Sequence, residues 1–82
     1  MHLELYQEVA LTRDVPEHDL HAGDIATLVD FISHPNGGES GCILEVFNAI
    51  GESIAVLAAP LSLIQPLHAN EILTVRPLKN AA

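Results

Sequence analysis

No apolar run in this chain is longer than a β-strand, and that limit decides most of what it can become. The longest, Ile54 to Pro60, ends on a proline and falls far short of the roughly 18 residues a membrane span needs. On hydropathy alone, residues 54–64 could continue as a helix. Pro60 sits in the middle of that stretch, however, and an interior proline costs a helix roughly 3 kcal/mol. The other apolar runs are shorter, rich in β-branched and aliphatic residues, and separated by Gly, Pro and Asn. Short runs broken by turn residues predict an all-β fold.

The pattern places five short strands near residues 7–12, 25–31, 42–47, 53–59 and 72–76. Residues 14–24 read as a loop, because Pro16 fixes φ and Gly23-Asp24 marks a tight turn, with Leu20 as an inward anchor. Residues 33–41 carry three glycines and a proline and read as a hairpin loop. Cys42, Leu44 and Val46 share one face of their strand, and Gly51 suits a turn with positive φ. Leu61 to Pro66 is too short and proline-bound for an α-helix and fits a single 3-10 turn before the last strand. Turns at this spacing suit a small closed barrel, which also removes exposed strand edges.

The chain has 82 residues, enough for one domain over residues 1–82 with 79–82 as a frayed tail. Its core is thin at this size. Cys42 is the only cysteine, so no internal disulfide can form. Its neighbours Gly41 and Ile43 open an apolar run, which favours a buried structural thiol over a nucleophile. A single thiol fits a reducing cytoplasm. The first residues, Met1-His2-Leu3-Glu4-Leu5, hold no basic region of the kind a signal peptide needs. The expectation is a cytoplasmic protein.

Charge narrows the partners. The net charge is −8; ten of the eleven acids and only one base, Arg13, fall in residues 1–52, leaving −9 there and +1 beyond. Such a domain repels phosphate backbones and anionic membrane surfaces. A basic protein partner is permitted, and solubility is the plain alternative reading of the same charge.

Few constellations offer chemistry. His18 and His21 stand at H-x-x-H spacing beside Glu17, Asp19 and Asp24. Zinc needs three or four ligands converging at about 2.0–2.3 Å. His18, His21 and Asp24 are the candidates for such a site, against a plain reading as solvated loop residues. Neither His2, His34 nor His68 supplies a matching pair. Crowded carboxylates do acid–base work only in a pocket that separates their pKa values, and a thin barrel seldom encloses one. No catalytic residue and no cofactor are expected. The glycines at 37, 38 and 41 lead into a strand rather than a helix, which is not a phosphate cradle. With three aromatics and no tryptophan, an aromatic groove for proline-rich peptides or a base-stacking surface is not expected either.

What remains is surface. Ile25, Thr27, Val29 and Phe31 share one parity and Ala26 and Leu28 the other, while Ile54 and Val56 oppose Ala55 and Leu57. Strands apolar on both parities are buried on both faces. Their outward face would meet the terminal segments, a protein partner or a second copy of the chain. The candidate partner-binding residues are Glu17, Asp19, Asp24, Leu28, Asp30 and Leu57.

Leu20-His21-Ala22-Gly23-Asp24-Ile25-Ala26-Thr27-Leu28-Val29 looks like the second strand of many SH3-like barrels, the KOW type among them. Glu4 to Val9 and Leu11 to His18, with Gly51 to Val56, Pro66-Leu67 and Val75 to Leu78, resemble a family of short bacterial proteins known as domain of unknown function 4926. The resemblance implies a five-stranded SH3-like barrel and carries over no catalytic residue. Ala26 departs from the glycine usual at that point of such barrels. The expectation is a noncatalytic interaction module that neutralises or accompanies a protein encoded by a neighbouring gene. The alternative is a KOW-like accessory of a nucleoprotein complex, which the acidity opposes.

Overall fold

The computed structural model describes residues 3–33 and 38–78. The expected frayed tail at 79–82, part of the 33–41 loop, His2 and His34 lie outside the described residues. Five strands form one antiparallel sheet. They are β1 (Glu8–Leu11), β2 (Ile25–Ile32), β3 (Gly41–Phe47), β4 (Ser53–Pro60) and β5 (Ile64–Pro66), in the order β4-β3-β2-β1-β5. A 3-10 turn at Leu61–Leu63 joins β4 directly to β5. The two edge strands of the sheet are therefore consecutive in the chain, three residues apart, and this curls the sheet into the expected SH3-like barrel arrangement.

The core follows from strand alternation. Cys42, Leu44 and Val46 are buried as their shared parity predicts. Leu28 pairs with Leu44, and Leu44 with Leu57, so three leucines form one row across β2, β3 and β4. Each fully buried leucine contributes about 1.5–3 kcal/mol relative to an exposed one. Val9 and Leu11 extend this layer on β1, with Leu63 and Ile64 closing it from the 3-10 turn and β5.

The expected last strand, residues 72–76, is not a strand; β5 is Ile64–Pro66. The reason is tertiary. The turn at Leu61–Leu63 delivers Ile64 straight to the free edge of β1, where Leu11 pairs with Ile64, Ala10 with Gln65 and Val9 with Pro66. Thr12 reinforces the junction, its amide donating to the Leu63 carbonyl at 2.7 Å and its hydroxyl to the Ser62 carbonyl at 2.8 Å. With that slot filled, Ile72-Leu73-Thr74-Val75 joins no strand of the sheet, and its aliphatic residues stand exposed.

Two bulges redirect side chains. On β2 the register slips between Leu28 and Asp30, so Val29 is extra and Phe31 pairs with Cys42. Directly opposed residues lie on one face of a sheet. Phe31 therefore lies on the Cys42 side, opposite to Ile25, and the single parity expected for Ile25 through Phe31 breaks at the bulge. On β4 the slip falls at Ile54, between the pairs Val46–Ala55 and Phe47–Ser53. A β-bulge bends its strand and increases local twist, here on β2 and β4.

Candidate functional site

The acidic loop is built by its own side chains. Val15 and Leu20 exchange backbone hydrogen bonds at 2.9 and 3.1 Å, with a 3-10 turn at Pro16–His18 between them. Asp19 closes the turn in the left-handed region, at φ 55°, a conformation aspartate tolerates better than most residues. Leu20 is buried and pins the loop to the core, as expected from the sequence. The Asp14 carboxylate accepts from the Ala22 amide at 2.9 Å, and the Asp24 carboxylate from the His21 amide at 2.7 Å. Gly23, at φ 92°, allows the tight return into β2.

Arg76 reaches this loop from 52 residues away. Its Nε donates to Asp24 Oδ1 at 3.0 Å and its Nη2 to Asp24 Oδ2 at 2.5 Å, and Nη2 also donates to the Asp19 carbonyl at 2.9 Å. This is the planar fork geometry that only arginine supplies. Partial burial pushes the Asp24 carboxyl up, but the Arg76 hydrogen bonds, the His21 amide and the arginine's charge outweigh it and hold the group below its ordinary value. The hydrogen bonds to Asp24 hold the Arg76 guanidinium above its own ordinary value. Elsewhere, burial raises the Cys42 thiol, which keeps it a poor nucleophile.

The segment of residues 71–78, which we call the arm, belongs to no strand or helix and is held at both ends. At one end the His68 amide donates to Glu71 Oε1 at 2.5 Å and the Glu71 amide to the His68 carbonyl at 3.0 Å. At the other end stands the Arg76 clamp. Between the arm and the outward face of the sheet runs an open groove of about 910 Å³. Ala10, Ile25, Phe47 and Ile54 line it on the sheet side, and Ile72 and Val75 on the arm side. The outward face of β1 and β2 thus meets the C-terminal arm of its own chain.

The six residues expected at a partner surface do not form one. Glu17, Asp19 and Asp24 share the loop, with Glu17 exposed. Asp30 lies at the other end of β2, its carboxylate accepting from the Phe31 amide at 2.8 Å. Leu28 is 0% exposed and belongs to the core, so it cannot meet a partner. Leu57 is also a core residue, at 8% exposure, and its remaining surface touches a small cleft beside Glu17 and His18. Both are partner candidates in the sequence because β2 and β4 are apolar on both parities, and parity alone does not say which face is inward.

Of the metal candidates, Asp24 has both oxygens engaged by Arg76, so it is not available to complete a site with His18 and His21. Among the described residues no three His, Cys, Asp or Glu side chains gather as a metal site would require. Among the described residues no helix is long and apolar enough to cross a membrane. Arg76 was missed as a functional residue because it was read as the end of a strand. The signal lay in the charge asymmetry, since a base in the one positive part of the chain has an acidic loop as its natural counterpart.

The family described as Domain of unknown function (DUF4926) matches residues 5–65. The chain belongs to this family. The match runs from the approach to β1 into β5 and so takes in all of β1 to β4 and the start of β5. Pro66-Leu67 and Val75 to Leu78, read from the sequence as family-like, fall beyond it, as does the arm. No curated protein and no solved structure matches the chain.

Proposed function

We propose that this DUF4926 protein is a noncatalytic, cytoplasmic interaction module whose acidic loop receives a basic protein, one encoded by a neighbouring gene. The observation that carries the reading is the rigid presentation of acid at residues 14–24. Two carboxylates, Asp14 and Asp24, are spent on the loop's own amides and on Arg76. They shape the loop rather than do acid–base work, and they hold the exposed Glu17 on a fixed scaffold. Preorganised charge of one sign steers an oppositely charged partner and sets its orientation. The module also associates with a second copy of itself through its outward aliphatic residues. Affinity capture from the native cell, quantified by mass spectrometry for the natural chain and for Glu17→Lys, tests the loop. The natural chain should retain a basic protein that Glu17→Lys loses. Equal retention by both, or retention of no basic protein by the natural chain, would overturn the reading.

A further inference from the structure

One side chain fastens the arm to the acidic loop. Residues 71–75 are all exposed, Val75 to 94%, and among the described residues no backbone hydrogen bond joins residues 72–75 to the sheet. The hold comes from Arg76. Its Nε and Nη2 donate to the two oxygens of Asp24, and Nη2 donates to the Asp19 carbonyl as well. Its Nη1 turns back to the Pro77 carbonyl at 3.2 Å. The loop that receives this arginine, residues 14–24, contains four acids and no lysine or arginine of its own. Asp24 and the Asp19 carbonyl accept a planar fork, which lysine, a point charge, does not supply. A basic protein drawn to this loop therefore finds its best-matched acceptors occupied by an arginine from beyond the family match.

We propose that Arg76 is an autoinhibitory stand-in for an arginine of the basic partner, and that docking exchanges the partner's guanidinium for that of Arg76 on Asp24 and the Asp19 carbonyl. This rests on the basic-partner reading above and adds its recognition group and its regulation. The exchange leaves the loop's own hydrogen bonds in place, from the His21 amide to Asp24 and from the Ala22 amide to Asp14. The latch scales the apparent affinity by the fraction of time it is open, so a latch closed about nine-tenths of the time weakens binding about tenfold. Once displaced, the arm loses its anchor on the loop and its exposed residues open to proteases.

The test is a nuclear magnetic resonance titration of the full chain with a blocked tripeptide carrying arginine at its centre, beside the same peptide with lysine. The natural chain is compared with Arg76→Gln and Arg76→Lys, and unchanged sheet amides show that each variant is folded. Arg76→Gln should bind the arginine peptide about tenfold more tightly than the natural chain, with shifts at the His21 and Asp24 amides. Arg76→Lys should fall between the two. Both peptides carry the same charge, so a preference for arginine separates the vacated fork site from general attraction. Adding Asp24→Asn to Arg76→Gln should abolish the gain. Variants that bind no more tightly than the natural chain, equal binding of the two peptides, or a gain that survives Asp24→Asn would each overturn the latch and leave the basic-partner reading standing. Retention of no basic protein in the affinity capture would overturn that reading whatever the peptides do.

Discussion

The Arg76 guanidinium grips both carboxylate oxygens of Asp24, at 3.0 and 2.5 Å, and so ties a segment beyond the family match to the loop that leads into β2. The same arginine donates to the Asp19 carbonyl, which joins the arm to both ends of the loop's second half. Glutamine cannot reproduce this fork. In Arg76→Gln the arm should detach, so that limited proteolysis cuts near residues 72–78 sooner than in the natural chain. Amides of β2 and β3 should exchange as before, because no core contact is lost. An unchanged cleavage rate would show that the latch does not hold the arm.

The latch also sets a pH dependence. The Asp24 pKa is lowered in the folded protein, so the unfolded chain binds its proton first as pH falls. The stabilisation is fully present above the ordinary aspartate value of about 3.9 and is lost as pH drops through the lower folded value. Thermal melts of the natural chain and Asp24→Asn should therefore differ at neutral pH and converge in acid. A gap that stays constant down to strongly acidic pH would contradict this.

Leu28 pairs with Leu44 at the centre of the core row. Leu28→Ala should cost about 2–5 kcal/mol, the usual range for a leucine deleted from a packed site. Against a total of about 5–15 kcal/mol for a native domain, that loss should be plain in a denaturant titration. A change under about 0.5 kcal/mol, typical of a surface substitution, would return Leu28 to the surface.

At the start of β3 the chains come close. A Cβ on Gly41 would stand 3.1 Å from the Ala59 carbonyl oxygen, and Gly41 pairs with Pro60 across the sheet. To admit it, the Ala59 carbonyl, part of the β3–β4 ladder, must shift by a few tenths of an ångström. Gly41→Ala should destabilise by about 1–3 kcal/mol, as overpacking does, and chemical denaturation will read it.

How much of this was legible depends on how local each determinant is. β3 could be read residue by residue, because Cys42, Leu44 and Val46 alternate without interruption. β2 could be bounded but not oriented, since the bulge at Val29 reverses its alternation and nothing in the local sequence marks it. β5 was misplaced because Ile64-Gln65-Pro66 is a weak strand on its own propensity. It pairs only because the 3-10 turn leaves it beside β1, whereas Ile72 to Val75 has strong propensity and joins no strand of the sheet. The acidic loop was visible as composition, but its architecture rests on Arg76, a contact spanning 52 residues.

The central claim is that the loop at 14–24 docks a basic protein by charge. The direct measurement is the affinity of the captured partner as salt is raised, for the natural chain and for Glu17→Lys. Exposed charges are screened beyond about 8 Å at physiological ionic strength. The affinity of the natural chain should fall steadily with salt, and Glu17→Lys should bind more weakly with a shallower slope. An affinity indifferent to salt, or equal for the two chains, would contradict the account.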